Sequence, residues 1–246
     1  MPVEHAATRR TLARVTGATG SALDQLATRT FSEFAMCFSD LVSTNRQPPE
    51  TLAAHVAGVE GAAHLPGAGA GFISLTAHVG NWELAGRLLA GRAARTTHVV
   101  VAGEEARDLE RWVRRNGDHV RFVPRSRATM SVELVAALRR AEVVAVQGDR
   151  ALGNRRDVLV PFFGSPAPFP LGPFVLARAV GVPMVPAFCV LGADHRYTVK
   201  VLPPLWVSRG GEEHAARTWV ALLEAVVRER PTQWFNFFDV WSPLFA

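Results

Sequence analysis

Gly71-Phe72-Ile73-Ser74-Leu75-Thr76 is followed by Ala77-His78-Val79-Gly80-Asn81-Trp82-Glu83 and then by Leu84-Ala85-Gly86-Arg87-Leu88-Leu89-Ala90. An apolar run short enough for a buried strand passes through a turn into a helical pattern. The turn delivers a histidine at the carboxyl end of the strand. In open α/β sheets ligands bind in the crevice beyond those ends, so His78 stands where chemistry is done. Glu83 follows about one and a half helical turns on, and a carboxylate at that reach accepts a hydrogen bond from one imidazole nitrogen. The other nitrogen is then a base near neutral pH. Neither Ser nor Cys lies within 77–83, so the attacking group is expected to be a hydroxyl brought by a substrate. With no His-Glu-x-x-His and no Cys/His cluster at ligand spacing, a metal is not expected, and no cofactor is expected either.

From residue 71 onward apolar runs at 71–76, 97–102, 120–124, 142–147 and 183–190 alternate with helical stretches near 82–93, 104–116, 128–140 and 170–181. Alternating units of this length predict an α/β fold with a largely parallel central sheet and helices on both faces. Tyr197, Val199 and Val201 alternate as an added antiparallel strand would. Trp219, Leu222, Leu223, Val226 and Val227 fit an amphipathic helix over 212–228. Residues 1–70 read as an N-terminal helical segment packed on the main domain, 71–246, and the whole as a single domain. In that segment Leu23, Leu26, Phe31, Phe34, Phe38 and Leu41 recur at helical intervals, with Ser21 placed as a cap. Such a stripe packs on the core, or part of it rests on a membrane or lines an acyl chain. A second short helix is expected over 50–59.

The 246 residues are 48% hydrophobic, enough for one sizeable core. Net charge is +5, and Lys200 is the sole lysine, so the positive charge is carried by arginine. That balance favours phosphate-bearing or acidic partners. The arginines are scattered and no nucleic-acid-binding signature is present, so nucleic acid is not expected as a partner. Cys37 and Cys189 stand in apolar surroundings and read as buried free thiols. The longest apolar candidate, 171–191, is broken by Pro173, Arg178, Pro183 and Pro186, and 1–14 has no signal-peptide core. The expected location is cytoplasmic, peripheral on the inner face of the cell membrane.

Three further stretches carry candidate chemistry. Val120-Arg121-Phe122-Val123-Pro124-Arg125 is a strand ending in an arginine on the same edge of the sheet as His78. Val146-Gln147-Gly148-Asp149-Arg150 ends another buried strand in a charged pair. Val160-Pro161-Phe162-Phe163-Gly164-Ser165, with Pro166, Pro168 and Pro170 after it, reads as a stiff apolar loop suited to walling a hydrophobic slot.

Taken in order, His78-x-x-x-x-Glu83, Phe122-Val123-Pro124-Arg125, Gln147-Gly148-Asp149-Arg150 and Gly181-Val182-Pro183-Met184-Val185-Pro186 resemble the blocks of the lysophospholipid acyltransferase superfamily. The form His-Val-Gly-Asn-Trp-Glu is most similar to its bacterial lipid A biosynthesis (lauroyl/myristoyl) branch, over about residues 20–240. The resemblance implies a membrane-associated enzyme that moves a fatty acyl chain from acyl carrier protein or coenzyme A to a hydroxyl of a lipid or glycolipid, such as a lipid A precursor. It implies His78 as general base and Glu83 as its orienting partner. Arg115 and Arg125 are then candidates for the oxyanion or an acceptor phosphate, Asn81 for help through its amide, and Asp149 and Arg150 for the acceptor head group. Two other readings keep the same residues: a thioesterase in which water replaces the alcohol, and a non-catalytic lipid- or membrane-surface-binding protein. The aromatic ending 233–241 covers the core or dips into a lipid interface, with Trp234 and Trp241 suited to head-group depth.

Overall fold

The computed structural model of the chain describes residues 2–44, 47–93, 95–101, 119–151, 153 and 157–241. In chain order the elements are α1 (Pro2–Thr16), α2 (Gly20–Ser43), α3 (Pro49–Ala54), β1 (Val56–Glu60), β2 (Phe72–Thr76), α4 (Trp82–Ala93), β3 (Thr97–Val101), β4 (Val120–Pro124), α5 (Met130–Arg139), β5 (Val143–Gln147), β6 (Asp157–Phe162), β7 (Ser165–Pro170), α6 (Gly172–Val180), β8 (Met184–Leu191), β9 (Tyr197–Val201) and α7 (Glu212–Glu229), with 3-10 turns at Ala62–His64 and Pro231–Gln233.

Among the described residues seven strands make one sheet in the order β1-β9-β8-β2-β5-β3-β4. All its ladders are parallel except β8 with β9, which is antiparallel as the Tyr197–Val201 alternation predicts. Strand β2 lies between β5 and β8, with β3 and β4 laid out beyond β5 and β9 and β1 beyond β8. The chain therefore changes sides at β2, and the end of β2 opens into the crevice where such sheets take ligands.

The period-two alternation of β2 divides the core. Ile73 and Leu75 face a cluster with Leu134 and Leu138 of α5, Phe174 of α6, and Trp219 and Leu223 of α7. On the other face Phe72 meets Leu84 and Ala85 of α4, Leu52 of α3 and Cys37 of α2. A sheet buried on both faces reads as a near-continuous apolar run, and every residue of β8 is indeed buried. The two cysteines are buried free thiols, and burial pushes the Cys37 thiol up to about 12.

Three local expectations change. Residues 1–70 are not helical throughout: β1 occupies 56–60, where a helix over 50–59 was expected, and pairs in parallel with β9. Its partner lies far along the chain, so local periodicity could not reveal it. The Phe- and Pro-rich stretch is a β-hairpin rather than a loop, β6 against β7. Phe163 (φ 50°) and Gly164 (φ 76°) both take positive φ, the condition for a two-residue turn that follows the strand twist. The prolines are tolerated because a two-stranded ribbon consists only of edges. Helix α2 begins at Gly20 with Thr19 at its cap position and no side-chain cap bond, so Ser21 lies inside it.

The aromatic stripe of α2 meets the end of the chain. Phe31 stacks on Phe237 at 5.2 Å, and Phe34 sets its edge against Phe235 and Phe237 at 5.3 and 5.0 Å. Phe34, Phe235 and Phe237 therefore pack on the core, Phe38 of the same stripe stays exposed at 38%, and Trp234, at 3% exposure, is buried.

Candidate active site

Strands β2 and β5 are parallel neighbours with Thr76 opposite Gln147. Carrying that register two residues further sets His78 beside Asp149, one strand spacing of about 4.8 Å away. Gly148 N donates to Thr76 O at 2.8 Å and keeps the two chain ends together. A side chain at Gly148 would run into Leu75 and Trp219, whose indole N–H bonds the Gly148 carbonyl at 3.0 Å.

His78 Nδ1 lies 2.8 Å from Asp149 Oδ1, and the His78 main-chain N–H donates to Asp149 Oδ2 at 3.0 Å. The Trp234 indole N–H reaches the same Oδ2 at 3.0 Å. With Nδ1–H given to the carboxylate, the lone pair of the ring sits on Nε2. The His78 side chain retains 12% of its exposure while Asp149 retains none, so the base is reachable and its support is not. Burial pushes the Asp149 carboxyl up, but the charge and hydrogen bond of His78, the charge of Arg150 and the Trp234 N–H outweigh it and hold it down at about 2.

The turn around His78 is fixed from three sides. Gly80 N donates to Gln233 O, Asn81 N to Cys189 O and Phe235 N to His78 O, at 2.9, 2.9 and 2.7 Å. Gly80 is required twice over: its φ is +57°, and a Cβ there would lie 1.9 Å from the Cys189 carbonyl oxygen. Trp82, the first residue of α4, sets its ring edge-on to His78 at 4.9 Å.

Beside Trp82 a pocket runs between α4 and the sheet. Trp82, Glu83, Gly86 and Arg87 line one wall; Ser74, Thr76, Ala145, Ala187, Val99 and Phe122 are among those lining the other. Successive turns of one helix face thus border a mostly apolar slot, connected to the imidazole through Trp82, whose ring both lines the slot and meets His78.

The expected site residues divide accordingly. Asp149 is brought to His78, but as the partner on Nδ1, the place expected for Glu83, and not as a head-group contact. Glu83 sits in the first turn of α4 and lines the pocket. Asn81 is 3% exposed and caps α4: its Oδ1 accepts the Leu84 N–H at 3.2 Å and its Nδ2 donates to Cys37 O at 3.1 Å. Its amide is occupied with the scaffold, which corrects the substrate-binding expectation. Arg150 donates to Asn236 Oδ1 and Phe235 O, each at 3.0 Å, and lies over the Phe238 ring at 5.5 Å, so these contacts hold the end of the chain. Arg125 is exposed at the end of β4, three strands from β2. Arg115 and the helix expected over 104–116 lie outside the described residues. Trp234 was missed as a site residue; its signal was only the aromatic density of 233–241. Among the described residues no group of His, Cys, Asp and Glu is placed to hold a metal.

Fold and pair together define a class: a two-faced, mainly parallel sheet with a carboxylate-held histidine at its strand ends and an apolar slot beside it. The chain belongs to the bacterial lipid A biosynthesis acyltransferase family, whose profile matches residues 4–242. It is 28% identical over 190 residues to a phosphatidylinositol mannoside acyltransferase of Mycobacterium tuberculosis (strain CDC 1551 / Oshkosh), a match covering 74% of this chain and 60% of that protein. A protein of the same name from strain ATCC 25618 / H37Rv is 32% identical over 126 residues, covering 50% of this chain and 39% of that one. The chain thus spans three fifths or less of the length of these relatives. Among solved structures it is similar to the 1-acyl-sn-glycerophosphate (LPA) acyltransferase PlsC of Thermotoga maritima, with a TM-score of 0.44 and 16% identity over 89% of this chain and 91% of that one.

Proposed function

We propose that this protein is an acyltransferase that moves a fatty acyl chain from a thioester to a hydroxyl of a lipid or glycolipid, with His78 as general base. The observation that carries the reading is the His78–Asp149 bond, with the Trp82 ring shared between His78 and an apolar slot, in a chain of this family. Nε2 takes the proton of the acceptor hydroxyl as its oxygen attacks the thioester carbon. The tetrahedral intermediate collapses with loss of the thiolate, which recovers the proton from the imidazolium. Asp149 stays ionised and stabilises that imidazolium. The acyl chain lies in the slot under α4, and the thioester carbon sits near Trp82.

A lipid A precursor and a phosphatidylinositol mannoside both offer such a hydroxyl; the family description supports the first and the names of the mycobacterial relatives the second. The donor is an acyl carrier protein or coenzyme A thioester, whose acidic helix or phosphates suit a chain of net charge +5. Arg125 and Arg115 remain candidates for those phosphates or the oxyanion. Among the described residues no helix is long and apolar enough to cross a membrane; a lipid acceptor supports a reaction at a membrane surface, and the inner face of the cell membrane is the side proposed.

The test is mass spectrometry of lipids after the purified protein meets bacterial membranes and a mixture of acyl carrier protein and coenzyme A thioesters. A new acylated lipid supports the reading and names donor and acceptor together. Free fatty acid alone indicates the thioesterase, and neither product indicates a binding protein.

Gly86 offers a second check within the same assay. It faces the pocket from α4, and a Cβ there meets no atom within 4 Å. Gly86→Leu is expected to shift product chains shorter by about two to four carbons, since Leu fills space in a close-packed slot. It should also raise the unfolding midpoint, because Gly costs about 1 kcal/mol inside a helix. An unchanged chain-length profile would place the acyl chain elsewhere.

A further inference from the structure

The end of the chain is stitched to the turn that carries the base. Gln233 clamps Leu191 from both sides, its Oε1 accepting the Leu191 N–H and its Nε2 donating to the Leu191 carbonyl, each at 2.8 Å. Thr232 donates to the buried Glu33 carboxylate at 2.6 Å. Gln233 O and Phe235 N then bond Gly80 and His78, and Val79 bridges Trp234 in antiparallel fashion. Between these clamps the Trp234 ring is buried, at 3% exposure. It packs edge-on against Phe162 at 5.3 Å and Trp241 at 6.4 Å, and its N–H points at Asp149 Oδ2.

We propose that Trp234 is a positioning residue for the base, acting through Asp149: its indole N–H fixes the carboxylate in the rotamer that receives His78 Nδ1–H and lowers the basicity of Nε2. The inference rests on His78 being the base, as argued above. The indole donates into the same carboxylate that His78 uses, so it competes for charge density on a fully buried group, where each hydrogen bond is felt strongly. Oδ2 takes two donors, the Trp234 ring and the His78 main chain, which leaves Oδ1 turned to the imidazole. Among the described residues, Arg150 beyond β5 and Glu83 and Arg87 on α4 are charged groups near the pair. The Trp234→Phe replacement leaves all three in place. It keeps the ring packing, removes the donor and returns negative charge to the side of Asp149 that faces His78. The imidazolium is then better stabilised, the His78 titration midpoint moves up and less neutral base is present at a given pH.

The experiment follows the His78 ring by NMR through a pH titration, without substrate, in wild type, Trp234→Phe and Trp241→Phe. Trp241 donates to the Phe162 carbonyl at 3.1 Å and has no bond to Asp149, so its variant reports the loss of an indole bond in the same aromatic cluster. The expected result is an upward shift of roughly half a unit in Trp234→Phe, a small part of what a hydrogen bond to a charged group is worth, and none in Trp241→Phe. In the acyl-transfer assay kcat of Trp234→Phe should fall roughly tenfold with KM little changed. An unshifted His78 midpoint in a folded Trp234→Phe overturns the proposal even if turnover is seen; no turnover by the wild type, with a shifted midpoint in Trp234→Phe, would overturn the acyltransferase reading and leave standing only the hold of Trp234 on the His78–Asp149 pair. Should Trp234→Phe not fold, the wild-type Trp234 indole N–H resonance decides, since it must move with the His78 midpoint, and a flat response overturns the proposal.

Discussion

His78→Ala is expected to lower kcat for acyl transfer by roughly 10²- to 10⁴-fold, the usual contribution of a positioned general base. An alcohol is a weak nucleophile at neutral pH, and Nε2 is the group placed to take its proton as the carbon–oxygen bond forms. The replacement keeps the main chain that matters, since His78 N still donates to Asp149 and its carbonyl still accepts from Phe235. KM for the thioester should change little, because the slot is lined by other residues. Steady-state kinetics with a labelled thioester, beside a thermal unfolding curve showing the variant folded, checks this. Retention of more than about a tenth of the activity would mean that His78 is not the base.

Asp149→Asn is expected to cost roughly 10³- to 10⁴-fold in kcat, as when the carboxylate behind a catalytic histidine becomes an amide. Oδ2 accepts two donors, the His78 main chain and the Trp234 indole. The oxygen of the amide must take that place, which turns its NH₂ toward His78 Nδ1. Nδ1 is then forced to accept, the ring proton moves to Nε2, and the nitrogen facing the substrate is no longer a base. The pH behaviour of stability should change with it. The Asp149 carboxyl is held at about 2 when folded, below the usual carboxylate range, so its stabilisation is complete above that range and is lost as pH falls toward 2. Acid unfolding of the Asn variant lacks that part of the slope. Kinetics and acid titration of the one variant check both statements; an Asp149→Asn protein as active as wild type would remove Asp149 from the mechanism.

The parts of the fold that were legible in the sequence are those governed by near neighbours. The run 71–76, the turn at His78 and the alternation of Tyr197, Val199 and Val201 are local patterns, and the structure forms β2, the turn to α4 and β9 from them. Asp149 was visible as a charge at a strand end, but its partnership with His78 depends on β5 lying beside β2 in register, which no local period encodes. Five residues of separation made Glu83 the apparent partner; the structure puts Asp149 on Nδ1, and Glu83, in the first turn of α4, lines the pocket. Asn81 looked like a substrate amide because a polar residue in a catalytic turn and a helix cap have the same appearance in sequence. Gln233 and Trp234 were hidden for the same reason as Asp149, since each meets its partner across a long stretch of chain.

The tautomer of His78 decides whether Asp149 holds it as a base, and nitrogen-15 NMR of the imidazole above its titration midpoint reads it. Asp149 on Nδ1 predicts a protonated, pyrrole-type Nδ1 and a bare, pyridine-type Nε2. A proton on Nε2 with a bare Nδ1 would contradict the carboxylate-held base on which the mechanism depends.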